Sequence, residues 1–103
     1  GASVQRVACS SDGRVDLDAA LDRLGSLGLR SVMVEGGAQV IQSILAARLV
    51  DYCIVTIAPT LLGGVKALEQ PCRPRSEAPL TILDCRYQAV GADLVAYGPL
   101  GLR

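Results

Sequence analysis

The chain has 103 residues, with ten Lys+Arg, ten Asp+Glu and no His, so its formal charge is zero. That length suits one domain, and the balanced charge lacks the basic excess that nucleic-acid or anionic-membrane binding requires. Half of the residues are apolar, but Phe and Trp are absent, so the core is expected from Leu, Val, Ile and Ala, and stacking platforms for single strands are excluded.

In chain order, Val4 to Cys9 is a short apolar run that predicts a strand. Ser10-Ser11-Asp12-Gly13 then supplies turn chemistry. From Asp16 the period becomes helical: Leu17, Ala20, Leu21, Leu24 and Leu27 share one face, with Asp16 placed to cap the start and Gly28 to end the helix. Ser31 to Val34 predicts a buried strand, interrupted by Glu35-Gly36-Gly37. Helical period returns with Val40, Ile41, Ile44, Leu45 and Leu49, and Tyr52 to Ala58 is a β-branched strand. Pro59 to Arg75 holds three prolines and a glycine pair and predicts an irregular loop. Leu80 to Val90 and Asp93 to Tyr97 predict an antiparallel hairpin around Gly91-Ala92, with a frayed tail from Pro99.

The alternation of short strands and helices predicts an α/β fold of the three-layer type. Its strands would form a parallel βαβαβ sheet through right-handed crossovers, followed by the antiparallel hairpin. A chain of this size buries only about 60–65% of its unfolded surface, which makes support from a partner subunit an expectation.

Without His, no Ser-His or Cys-His pair exists, and chemistry would fall to carboxylates, Tyr, Lys66, cysteines or a cofactor. Cys9, Cys53, Cys72 and Cys85 form no CxxC pair, which argues against structural zinc. The opening GASVQRVACSS has no basic region followed by a long apolar run. The expectation is a cytoplasmic protein with buried, reduced cysteines. No apolar run reaches the ~20 residues of a membrane span. Asp16, Asp18 and Asp22 fall mostly on a solvated helix face, a poor metal site. Tyr52 and Tyr97 read as rim-packing residues with wet hydroxyls.

The most informative segment is Val32-Met33-Val34-Glu35-Gly36-Gly37-Ala38, a strand entering a helix through two glycines. The first turn of a helix offers unpaired N–H groups and a positive dipole end, and glycines let a phosphate approach the backbone. Glu35 could accept hydrogen bonds from a heterocycle or sugar. The same pattern, which is not GxGxxG, can also be a tight turn beside a solvated carboxylate.

The string VMVEGGAQVIQSILAARLVDYCIVTIAPTLLGG resembles the C-terminal half of the riboflavin-biosynthesis reductases, and its VEGGA and IVTIAP are similar to the fungal and archaeal diaminopyrimidine branch. Residues 15–64 carry nearly all of the likeness; 80–98 fit the closing strands more loosely. The resemblance implies a dihydrofolate-reductase-like fold and NADPH-dependent reduction of a ribosylamino-pyrimidine phosphate. It implies that Glu35 touches the pyrimidine-sugar substrate and that Gly36, Gly37, Ala38, Gln39 and Val40 hold the cofactor phosphates. It further implies that Pro59 to Gly64 borders the cleft, although its proline and glycines could equally serve only to turn the chain. Separately, the CRPR stretch, Cys72 to Arg75, could meet a phosphate such as a cofactor's 2′-phosphate, but a solvated loop is the stronger reading. A cis or strained peptide at Gly36-Gly37 is expected.

The family's reductase domain is roughly twice this length, and the N-terminal half is what this chain lacks. The chain therefore reads as the carboxyl part of a reductase, with catalysis by residues 1–103 alone in doubt. The alternatives are a shortened, non-redox domain serving oligomerisation or small-molecule binding, or one repurposed for another reaction. A bare sheet edge predicts a homo-oligomer or completion by another chain.

Overall fold

The structure is a computed structural model that describes residues 1–64, 66, 68 and 78–102. It divides into two compact units, Gly1–Glu35 and Gly36–Arg103.

In the first unit, the Ser10 to Arg14 turn forms as expected: Ser10 N donates to Arg14 O at 2.8 Å and Gly13 N to Ser10 O at 2.9 Å. The expected strand from Val4 to Cys9 shrinks to one bridge, Cys9 to Val15. Val4 is 87% exposed, so its run finds neither a ladder nor a core. Helix α1 spans Leu17–Ser26, and the Asp16 carboxylate accepts from Ala19 N at 3.0 Å. At its far end Leu29 N bonds Leu24 O and Gly28 N bonds Gly25 O, with Gly28 at φ 85°. This is the paired 6→1 and 5→2 closure that favours glycine at the left-handed position. Leu17, Ala20, Leu21 and Leu24 are half-buried, whereas Leu27 is exposed. Arg23 Nε donates to Gln5 Oε1 at 2.9 Å, tying the helix to the chain before it.

Ser31 to Val34 is neither strand nor buried, which corrects the sequence reading; Val32, Met33 and Val34 are all exposed. A strand needs an edge to pair with, and no described segment pairs with these residues.

In the second unit, α2 spans Ala38–Ala46 and buries Ile44. It closes like α1, with Leu49 N on Ile44 O and Arg48 N on Leu45 O, but the left-handed residue is Arg48 at φ 60°. Strand β1 is Tyr52–Ile57, β2 Leu80–Ile82, β3 Arg86–Val90 and β4 Asp93–Leu102. β4 is central, with β1 along one flank and β3 then β2 along the other, and every pairing is antiparallel. The parallel βαβαβ sheet is thereby corrected: it required Ser31 to Val34 as a strand beside Tyr52 to Ala58. The hairpin around Gly91-Ala92 forms in the expected register, Val90 opposite Asp93.

Two further readings change. Leu80 to Val90 is not one extended run, because Asp84 at φ 45° turns the chain between β2 and β3. The tail is not frayed: Leu83 N donates to Pro99 O at 2.7 Å, Leu100 N to Asp51 O at 2.9 Å, and residues 100–102 pair with β2. Pro59 to Gly64 is irregular as expected, and the rest of that loop, with Cys72 and the CRPR stretch, lies outside the described residues apart from 66 and 68.

Candidate functional site

The N-terminus of α2 is the best-formed candidate. Gly37 is its cap residue, at φ −65° and ψ 165°, with no side-chain hydrogen bond closing the turn. Its carbonyl accepts from Val40 N at 3.0 Å and Ile41 N at 3.2 Å. Val40 N is thus engaged by the Gly37 carbonyl, which leaves the amides of Ala38 and Gln39 as those of the first turn without an intrahelical acceptor, and this turn carries no acidic residue to answer its positive dipole end.

The two glycines have different reasons to be glycine. A β-carbon on Gly36 would stand 3.1 Å from Val40 Cβ, so that position is constrained by close packing on its own helix. A β-carbon on Gly37 would meet nothing within 4 Å, so space beside the backbone is open there. Gln39 and Val40 are exposed and Ala38 half-buried on the same turn. Among the described residues no peptide bond is cis, and neither glycine has positive φ, so the expected cis or strained Gly36-Gly37 peptide is corrected. An extended cap residue enters a helix without strain. Glu35 belongs to the first unit, exposed and outside any strand, rather than at the end of a buried one.

Other candidates sort by their partners. Asp16 is engaged in capping α1, while Asp18 and Asp22 are exposed. Tyr52 is 51% exposed and Tyr97 half-buried, as rim packing predicts. Cys9 is exposed, and Cys53 and Cys85 are half-buried free thiols, which corrects the expectation of buried cysteines at those positions. Burial pushes the Cys53 thiol up, helped by the charge of Cys85. A hydrogen bond with Cys85 likewise raises the Tyr87 phenol.

A shallow cavity of ≈ 130 Å³ opens at the C-terminal end of α2, lined by Leu45, Arg48, Val50, Leu80, Leu100 and Gly101. It is too small for a drug-sized ligand, whose pockets begin near about 300 Å³. Sequence reasoning missed both this cavity and the Cys53–Cys85–Tyr87 group, because each joins residues far apart in the chain and leaves no local signal.

Residues 2–96 match the family model described as the RibD C-terminal domain. The chain belongs to that family. Among relatives of this RibD C-terminal domain are three proteins named 2,5-diamino-6-ribosylamino-4(3H)-pyrimidinone 5′-phosphate reductase. The one from Methanothermobacter thermautotrophicus is 45% identical over 51 residues, 50% of this chain and 24% of the relative. That from Archaeoglobus fulgidus is 39% identical over 61 residues, 59% of this chain and 28% of the relative. The yeast protein of Debaryomyces hansenii is 46% identical over 44 residues, covering 42% and 18%. The matches fall in the carboxyl-terminal portion of the relatives and cover only 18–28% of their length. Among the described residues, no helix is long and apolar enough to cross a membrane.

Proposed function

We propose that this chain is the carboxyl-terminal part of an NADPH-dependent reductase acting in the cytoplasm on a ribosylamino-pyrimidine 5′-phosphate of riboflavin biosynthesis, within a dihydrofolate-reductase-like domain. The observation that carries the reading is the open, uncapped turn at Gly37, in a chain whose relatives bear that reductase name. The residues present fit a dinucleotide's phosphates: the amides of Ala38 and Gln39 lie in the first turn without an intrahelical acceptor, no acidic residue stands in that turn, and Gly37 has no side chain in the way. The nicotinamide supplies the hydride when bound. The chain's own part is to hold the diphosphate through the turn from Gly36 to Val40 and to accept substrate hydrogen bonds at the Glu35 carboxylate.

The test is NADPH titration by calorimetry or fluorescence. Valine adopts φ −65° and ψ 165° without strain and its β-carbon at position 37 meets nothing within 4 Å, so Gly37→Val is expected to fold while filling the approach, with circular dichroism as the check. Saturable binding weakened at least about 10-fold in Gly37→Val supports the reading. Absence of binding at millimolar NADPH in the 103-residue chain, both alone and joined to an amino-terminal reductase half, overturns it in favour of a non-redox assembly or binding domain. Glu35→Gln should leave NADPH affinity unchanged and weaken substrate.

A further inference from the structure

We propose that Cys53 and Cys85 are a redox-sensitive thiol pair, which a small-molecule disulfide oxidises to a covalent clasp joining β1 to the turn between β2 and β3. The pair is argued from the register of β4 and is independent of the reductase reading.

The two thiols meet at Gly98 on β4. Cys53 lies opposite it on β1, and the β3 register, with Arg86 opposite Tyr97, brings Cys85 toward the same row from the other flank. Residues opposite one another in an antiparallel sheet project to one face. Tyr87, two residues beyond Cys85, stands on that face too: it shares a row with Ala96 and Val55, and Val55 is two residues beyond Cys53. The hydrogen bond of the Tyr87 phenol with Cys85 therefore holds the second sulfur on the side to which the first projects. Both cysteines are free and half-buried, so a small oxidant reaches them.

Two regular ladder spacings would keep such a pair about 9–10 Å apart, beyond the roughly 4.4–6.8 Å between Cα atoms that a disulfide spans. The turn shortens that path. Cys85 belongs to no strand, and after Asp84 at φ 45° its Cα stands 3.6 Å from the point where a Gly98 β-carbon would be. That point lies on the face to which Cys53 projects. Any other residue at position 98 would put a side chain between the two sulfurs. The charge of Cys85 is felt at Cys53, a second sign that they are near neighbours. Closure then asks for movement of the turn alone, which no ladder bond of Cys85 resists.

In the reaction, one cysteine thiolate attacks a sulfur of a disulfide such as oxidised glutathione, forming a mixed disulfide and releasing one glutathione thiolate. The other cysteine, deprotonated, attacks the protein sulfur of that mixed disulfide and releases the second. The protein gives up two electrons and two protons, and the reagent takes them up as two thiols. The bridge closes residues 53–85 into a ring that contains Pro59 to Gly64, so oxidation fixes both ends of the chain running from β1 to β3.

The experiment equilibrates the 103-residue chain carrying Cys9→Ser and Cys72→Ser, checked by circular dichroism, with mixtures of reduced and oxidised glutathione, and repeats this in unfolding urea. Acid quenching, alkylation and mass spectrometry read the bridged fraction. The Cys53–Cys85 bridge should be favoured at least about 30-fold more in the folded chain than in the unfolded one. Cys53→Ser or Cys85→Ser should leave only the mixed disulfide with glutathione. Should the doubly substituted chain not fold, peptide mapping of the oxidised natural chain reads the pairing instead, with Cys53 linked to Cys85 expected. An equal preference in folded and unfolded chains overturns the proposal. So do mixed disulfides that never resolve into a bridge, or pairing of either thiol with Cys9 or Cys72 in preference.

Discussion

The carbonyl oxygen of Leu83 lies 2.6 Å from the point where a β-carbon on Gly98 would stand. Ile82 Cγ2 is 2.8 Å from the same point, and Gly98 is buried in the middle of β4. The chain leaving β2 thus crosses directly over Gly98, and backbone cannot step aside as a side chain can. Gly98→Ala should therefore destabilise the second unit by about 2–3 kcal/mol, the upper range for overpacking. At Gly101 the nearest atom is Leu83 Cδ1, also at 2.6 Å, but it ends a rotatable side chain. Gly101→Ala should cost less, about 1 kcal/mol. Urea unfolding of the two variants decides it; equal losses would mean that the Leu83 backbone moves freely.

Arg48 occupies, at φ 60°, the left-handed position that closes α2, where Gly28 at φ 85° closes α1. A β-carbon there costs about 1 kcal/mol. Arg48→Gly and Arg48→Ala lose the same guanidinium and differ only in that backbone term. The glycine variant should be more stable than the alanine variant by about 1 kcal/mol. Thermal unfolding that ranks alanine above glycine would show that Arg48 does not hold this conformation in solution.

Asp12 accepts from the Ser10 hydroxyl and from Arg14 N at 3.3 Å, and its Oδ2 stands 3.5 Å from Arg14 Nε. The Ser10 hydrogen bond first, then the Arg14 amide and charge, hold its carboxyl below the ordinary 3.8. A lowered folded-state value stabilises the turn above the unfolded value and loses that stabilisation as pH falls through the folded one. An NMR titration should place the Asp12 midpoint below 3.8 and move it upward in Ser10→Ala. An unchanged midpoint would count against the hydroxyl as the main cause.

Cys53 lies opposite Gly98 on β4, and the Cys85 Cα is 3.6 Å from the missing Gly98 β-carbon. Glycine at this crossing lets two thiols approach from opposite flanks of one strand. Burial first, then the Cys85 charge, pushes the Cys53 thiol above 9.0. A raised folded-state value contributes stability below the unfolded value that is lost as pH rises through the folded one. Iodoacetamide rates against pH should show Cys53 ionising later than in urea. Cys85→Ala should bring it part of the way back, since burial remains. A Cys53 profile identical in folded and unfolded protein would contradict both causes.

The candidate site was legible in sequence because its parts are contiguous: Gly36, Gly37 and the first turn of α2 are neighbours in the chain. What local reading could not supply was the division of labour, with Gly36 constrained by Val40 and Gly37 left open. The Glu35 side fared differently. Val32 to Val34 has the composition of a buried strand, but burial and pairing depend on a partner edge that composition does not specify.

The same division runs through the fold. Helical period, the Asp16 cap, the Gly28 stop, the β-branched run of β1 and the Gly91-Ala92 turn are interactions within a few residues, so the amino-acid order alone determined α1, α2, β1 and the β3–β4 hairpin. Tertiary structure alone decided that every pairing is antiparallel, that β4 occupies the centre, and that residues 99–102 are held between Asp51 and β2 instead of fraying. Those outcomes depend on which backbone edges meet across dozens of residues. A hydrogen-bond donor in a strand accepts whichever edge the rest of the chain brings to it.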